Sequence, residues 1–141
     1  MNCYGSSRSL RTRPAGVTAI SLFFVFGTVM SGLAGTMLLF PGSALDELWP
    51  VNPHAREGFT AMGAWAILLM GVVCVACATA ATGLSRCARL GYFTALTVLV
   101  INLTGDSLNA VMLHDWRTFI GLPVGGLMIW FLVKNRSVFR R

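Results

Sequence analysis

Charged residues are scarce in this chain of 141 residues. Asp, Glu, Lys and Arg together make up 11% of it, whereas hydrophobic residues make up 55%. A soluble domain usually carries about a quarter charged residues, so this composition favours a membrane protein. The net charge of +6 does not indicate nucleic-acid binding, because the basic residues lie in short segments between apolar runs and cannot form one basic face.

Four long apolar segments account for most of the chain. The first is roughly 37 Å long as a helix, which exceeds the roughly 30 Å hydrocarbon core of a bilayer. A backbone in lipid must satisfy its own hydrogen bonds, so runs of this length are predicted to be helices. We therefore predict an all-α fold, a four-transmembrane-helix bundle in one domain over residues 16–133. The helices are predicted at about 16–40, 58–84, 90–113 and 116–133.

The basic residues are sorted between the two sides of this predicted bundle. Nine of the eleven lie in three regions without acidic residues: Arg8, Arg11, Arg13, Arg86, Arg89, Lys134, Arg136, Arg140 and Arg141. The positive-inside rule then places both termini in the cytoplasm, and four spans agree with that parity. We predict a multi-pass protein of the bacterial inner membrane, with basic cytoplasmic tails at residues 1–15 and 134–141. Cys87, in a cytoplasmic connection, is predicted to be a free thiol.

The third segment contains an unusual polar stretch, NLTGDSLN, at residues 102–109. Asn102, Asp106 and Asn109 in this stretch fall within roughly 60° of arc at about 100° per residue. Their side chains are therefore predicted to share one helix face. A charge at the bilayer centre costs at least about 2.5 kcal/mol, so this face is predicted to point into the bundle. With the outer connections it is predicted to form one polar cleft that opens outward. The cleft residues are Asn102, Asp106, Asn109, His114, Arg117, His54, Arg56 and Glu57.

Two explanations of this cleft remain open. In the first, its side chains hydrogen-bond neighbouring helices and fix their register, at about 0.6 kcal/mol per bond. In the second, Asp106 binds a cation, a proton or a polar group of a ligand. The second explanation predicts that Asp106→Asn accumulates normally but loses activity, whereas the first predicts that it fails to accumulate.

Small residues mark two helix faces that are predicted to pack closely. Gly27, Ser31 and Gly35 recur at four-residue steps in the first segment, and Gly121 and Gly125 lie in the fourth. We predict that both faces pack the bundle. One of the two could instead form the interface of a homodimer.

Other candidate chemistry is weak. The pair Cys74 and Cys77 forms a C-x-x-C pattern, but it lies within an apolar helix without a nearby cation, so packing is favoured over redox chemistry. His54 and His114 are the only histidines, and two residues without a supporting cluster do not predict a metal site. The sequence has no nucleophile–base pair, no second carboxylate close to Asp106 and no phosphate loop, so no catalytic residue and no cofactor is predicted.

Four phrases occur together along the chain: RPAGVTAI, NPHAREGF, INLTGDSLNA and HDWRTFIGLPVGG. With these phrases the chain resembles small, uncharacterised four-helix membrane proteins of bacteria, over residues 13–133. The resemblance implies the fold and the membrane location, and it implies no activity or catalytic residue.

Three functions are compatible with these observations. The first is a non-enzymatic accessory or interaction subunit, surrounded by the lipid bilayer and bound to a membrane-protein partner or to a second copy. The second is a transporter or channel component that uses the cleft at Asp106. The third is a haem or metal protein of the outer face that uses His54 and His114.

Overall fold

The computed structural model of the protein describes residues 15–44, 53–113 and 118–139, which are helical almost throughout. No strand occurs among these residues, which confirms the all-α prediction. The elements are α1 (Ala15–Leu39), α2 (Pro53–Met62), α3 (Ala64–Ser85), α4 (Arg89–Leu113), α5 (Thr118–Lys134) and a 3-10 helix at Arg136–Phe139.

Two of the described helices are long and apolar enough to cross a membrane, judged by length and composition. They are α1, with 25 residues, and α3, with 22 residues. The stretch Gly121–Lys134 of α5 is also apolar but shorter. Large apolar side chains are widely exposed on these helices, for example Phe26 at 63% and Trp65 at 74%. Surfaces of this kind are rare on soluble monomers and favour contact with lipid or with another protein.

The segment predicted as one helix over residues 58–84 is divided at Gly63. Gly63 has a φ of +57°, a left-handed conformation that glycine adopts without strain. Its N–H donates to the carbonyl oxygens of Phe59 and Thr60, both at 3.2 Å, as at the end of a helix. The chain therefore forms α2 up to Met62 and starts α3 at Ala64.

The chain divides into two compact units, unit 1 (Met1–Val25 and Ala76–Arg141) and unit 2 (Phe26–Val75). In unit 2, α1 and α3 pack antiparallel through small residues. A Cβ at Gly35 would lie 3.6 Å from the Met70 Cβ, and the Cys74 thiol donates to the Thr28 carbonyl at 3.5 Å. Of the small residues that were predicted to pack on α1, Gly35 lies at this contact. Ser31 is buried, and its hydroxyl donates to the Gly27 carbonyl at 2.7 Å.

In unit 1, α3 and α4 are joined by a very short turn. The Ala88 N–H donates to the Gly83 carbonyl at 2.8 Å and the Cys87 N–H donates to the Leu84 carbonyl at 3.1 Å. Together with the positive φ of Cys87, +53°, these two bonds form a Schellman motif. Cys87 is also disulfide-bonded, so the prediction of a free thiol is wrong. The spacing of the cysteines along the sequence does not predict this bond.

The two helices of this hairpin touch through glycine backbones. A Cβ added to Gly83 or to Gly91 would overlap the backbone of the other residue's helix. Such contact is possible only where neither residue has a side chain. The glycines on both sides therefore let the backbones of α3 and α4 come into contact at this hairpin.

Other contacts place the start of α1, the end of α5 and the 3-10 helix at the same end of unit 1 as this turn. Gly16, at the start of α1, lies against the ring of Phe131 near the end of α5. Phe139 of the 3-10 helix is only 2% exposed, and its ring centroid lies 5.3 Å from that of Tyr92 in the first turn of α4. Part of the segment predicted as a basic tail thus packs onto the helices.

Candidate functional site

The site with the clearest chemistry lies where α4 and α5 pack antiparallel in unit 1. A Cβ at Gly121 would lie 3.3 Å from the Asp106 Oδ2, and a Cβ at Gly125 would lie 3.2 Å from the Leu103 Cδ1. Both distances are shorter than ordinary contacts of a side-chain carbon. The two glycines that were predicted to pack helices therefore face α4, and Gly121 leaves the space that the Asp106 carboxylate occupies.

A cavity of about 240 Å³ lies between these helices, which we call the Asp106 cavity. Its volume is below the roughly 300–1,000 Å³ of typical small-molecule pockets and suits one side chain or a small ion. Two of its lining side chains are polar, a carboxylate and an amide, and the others are apolar or glycine. The lining residues are Phe23, Leu99, Asn102, Leu103, Asp106, Gly121, Val124, Gly125 and Met128.

Asp106 is half-buried in this cavity. No hydrogen bond or ion pair joins its carboxylate to another residue within the described ranges. The nearby hydroxyls are used elsewhere, because Ser107 donates to the Leu103 carbonyl at 2.6 Å and Thr104 donates to the Val100 carbonyl at 2.8 Å. The described part of the chain thus offers the Asp106 carboxyl group no hydrogen-bonding or charged partner in a largely apolar cavity.

Asn102 lines the same cavity but is exposed. Gly121 and Val124 on the facing helix are exposed as well, so the cavity reaches the surface of the chain. The predicted polar face is therefore not uniformly turned inward. Asp106 lies in the interior of the cavity and Asn102 lies at its rim.

Of the other predicted cleft residues, the structure describes the side chains of only two, Arg56 and Glu57. Arg56 and Glu57 are exposed residues of α2, in unit 2. The remaining predictions concern side chains outside the described residues, namely those of His54, Asn109, His114 and Arg117. The structure thus places Asn102 and Asp106 in one cavity with Gly121 and Gly125. From the sequence, these two glycines were predicted only to pack helices.

The cysteine pair of α3 has the surroundings of packing residues. Cys74 and Cys77 are not in a disulfide, and Cys77 is 6% exposed. A buried thiol in apolar surroundings is inert compared with an exposed thiol beside a cation. No group of three or more His, Cys, Asp or Glu side chains that could hold a metal ion occurs in the part of the chain that was described.

Sequence reasoning missed most residues that shape the Asp106 cavity. Phe23, Leu99 and Met128 line it, but they are apolar residues in apolar helices, and nothing distinguishes them from lipid-facing neighbours. Gly83 and Gly91 were also missed, although two glycines at similar distances from a short connection are a usable signal for a tight helical hairpin.

No protein-family model matches the chain, and neither a curated protein nor a solved structure shows significant similarity to it. The chemistry of the Asp106 cavity therefore follows from its own residues.

Proposed function

We propose that the protein is a non-enzymatic subunit of the bacterial inner membrane that binds a membrane-protein partner at the Asp106 cavity. The observation that carries this proposal is the half-buried carboxylate of Asp106, which has no ion pair among the described residues. An ionisable group inside a membrane pairs with an opposite charge or faces water. A basic side chain on a transmembrane helix of the partner supplies that charge.

The charge distribution of the chain favours a different protein over a second copy as this partner. Residues 16–40, 58–84, 90–113 and 118–133 contain no Lys or Arg. A second copy therefore offers no cation within its own apolar segments to pair with Asp106. The cavity volume, about 240 Å³, also suits a single inserted side chain.

We infer further that α1, α3, α4 and α5 each cross the membrane, with both termini in the cytoplasm. The apolar lengths of α1 and α3 and the antiparallel contacts of α4 with α5 support alternating spans. The sorting of nine of the eleven basic residues supports the orientation. The disulfide at Cys87 points the other way, because structural disulfides are rare in the reducing cytoplasm. The proposed orientation rests on the nine charges.

Reporter fusions test this topology. Alkaline phosphatase fused after Gly42 is expected to be active, because the enzyme folds only outside the cytoplasm, whereas fusions at Cys87 and at the C-terminus are expected to be inactive. Green fluorescent protein at the same three sites provides the reciprocal control. Phosphatase activity at Cys87 and at the C-terminus would reverse the orientation and agree with the disulfide.

Filling the Asp106 cavity is expected to prevent partner binding. In Gly121→Val the Cβ lies 3.3 Å from the Asp106 Oδ2, and the two methyl groups occupy the space that the partner side chain needs. The amount of partner that co-purifies in mild detergent should fall by at least about tenfold, which corresponds to 1.4 kcal/mol.

The matched control is Gly126→Val on the same helix. A Cβ at Gly126 meets no atom within 4 Å, so this variant adds the same bulk outside the cavity and should bind the partner normally. Equal binding by both variants would show that the cavity is not the binding site.

A cation-binding role of the same cavity is the second candidate, because a carboxylate without an ion pair among the described residues can also bind a cation. It predicts Asp106-dependent ion or proton flux in proteoliposomes that contain this protein alone. The third candidate, a haem or metal protein, depends on His54 and His114, whose side chains lie outside the described residues. A Soret band in the purified protein would support it.

A further inference from the structure

Four basic side chains gather at the end of unit 1 where the α3–α4 turn lies. Arg86 belongs to that turn, Arg89 begins α4, Lys134 ends α5, and Arg136 begins the 3-10 helix. All four are exposed. We call this group the basic end. It combines two segments of the chain that are far apart in sequence, so the expectation that the basic residues cannot form one face is wrong for these four.

The structure brings these segments together through a buried aromatic contact. The 3-10 helix packs against both α4 and α5, and its Phe139 lies against Tyr92 with ring centroids 5.3 Å apart. Because Phe139 is 2% exposed, this contact fixes the segment that carries Arg136 next to the first turn of α4. The charges of the two segments are thereby held at one end rather than dispersed in a free tail.

Two of the cations lie over exposed aromatic rings. The Arg89 guanidinium carbon is 5.7 Å from the ring centroid of Phe93, and the Lys134 Nζ is 4.6 Å from that of Trp130. Aromatic residues mark the boundary between hydrocarbon and headgroups in membrane proteins. Cations beside such rings suit a position at the level of phospholipid phosphates.

These cations also lack a counter-charge from the described chain. None of the four forms an ion pair with an acidic residue within the described ranges.

We propose that the basic end binds the phosphate of an anionic phospholipid headgroup. Such basic sites between helix ends are suited to anionic lipids, each exposed cation strengthening binding by about fivefold. The same chemistry would also hold free inorganic phosphate, but the flanking rings of Phe93 and Trp130 favour a phosphate attached to acyl chains. This proposal is independent of the Asp106 cavity.

The test uses the purified, delipidated full-length protein in detergent. Dioleoylphosphatidylglycerol, dioleoylphosphatidylcholine or inorganic phosphate is added, and bound lipid is counted by native mass spectrometry while the midpoint of thermal unfolding is followed. We expect phosphatidylglycerol to bind at least about tenfold tighter than phosphatidylcholine and to raise the midpoint. Equal binding of the two lipids, or the same rise with inorganic phosphate, would overturn the assignment to an anionic lipid.

Variants locate the site. Arg89→Gln/Arg136→Gln should weaken phosphatidylglycerol binding by about 25-fold, at about fivefold per cation, and Arg56→Gln on α2 is the matched control that should not. If the double variant does not fold, Arg136→Gln alone should weaken binding about fivefold, because Arg136 is exposed on a short terminal turn.

Phe139→Ala keeps every charge but releases the segment that carries Arg136, so it should also weaken phosphatidylglycerol binding. Wild-type affinity in Arg136→Gln or in Phe139→Ala would show that the basic end is not the site.

Discussion

Asp106→Asn is expected to reach the wild-type level in the membrane and to lose its partner. The substitution keeps the shape of the side chain and removes the charge that faces the cavity. The partner's basic residue then loses its counter-ion within the interface, and removing one member of a buried charge pair costs about 2–5 kcal/mol. Partner recovery per chain in mild detergent should therefore fall by about 30-fold or more.

The controls separate binding from folding. Asp106→Glu retains the carboxylate and should keep a substantial part of the partner binding. The partner, once identified, must carry a basic residue within a transmembrane segment. If Asp106→Asn fails to accumulate, the carboxylate has the structural role of fixing helix register. If the variant accumulates and still recovers the partner fully, the carboxylate does not bind it.

Gly83→Ala is expected to lower the free energy of unfolding strongly. The added Cβ overlaps the backbone of Gly91, and a backbone cannot move aside as a flexible side chain can. Overpacking typically costs about 1–3 kcal/mol, and backbone overlap belongs at or above the upper end of that range. The measurement is the thermal unfolding midpoint in detergent, together with the level of the protein in the membrane.

Gly105→Ala on α4 is the matched control for this change. A Cβ at Gly105 meets no atom within 4 Å, so the better helix propensity of alanine should be neutral or stabilise the protein by up to about 1 kcal/mol. Equal stability of the two variants would mean that α3 and α4 are not in backbone contact at their hairpin.

The helices themselves were largely predictable, because long apolar runs leave a membrane chain few alternatives. The prediction for the third segment, residues 90–113, agrees closely with α4 (Arg89–Leu113). The break at Gly63 was not predictable in the same way. Glycine is common within transmembrane helices, and the local sequence contains no proline to mark the interruption, so only the conformation of Gly63 shows it.

The candidate site was predictable only in part. Helical periodicity predicts that Asn102 and Asp106 lie on the same face of their helix. It does not indicate which other helix packs against that face. The register of α4 against α5, with Gly121 opposite Asp106 and Gly125 opposite Leu103, depends on tertiary packing. The exposure of Asn102 depends on tertiary packing too, and no pattern in the sequence predicts that Cys87 is in a disulfide.

Site-specific photocrosslinking in intact membranes tests the Asp106 cavity most directly. A photoreactive amino acid is placed at Val124, a lining residue that is 48% exposed, and as a control at Leu68 on α3, which is 57% exposed. We expect one crosslinked product with a different polypeptide at Val124, absent at Leu68 and lost when Asp106→Asn is added. A product with a second copy of this chain, products with lipid alone, or a product that persists in Asp106→Asn would contradict the proposed function.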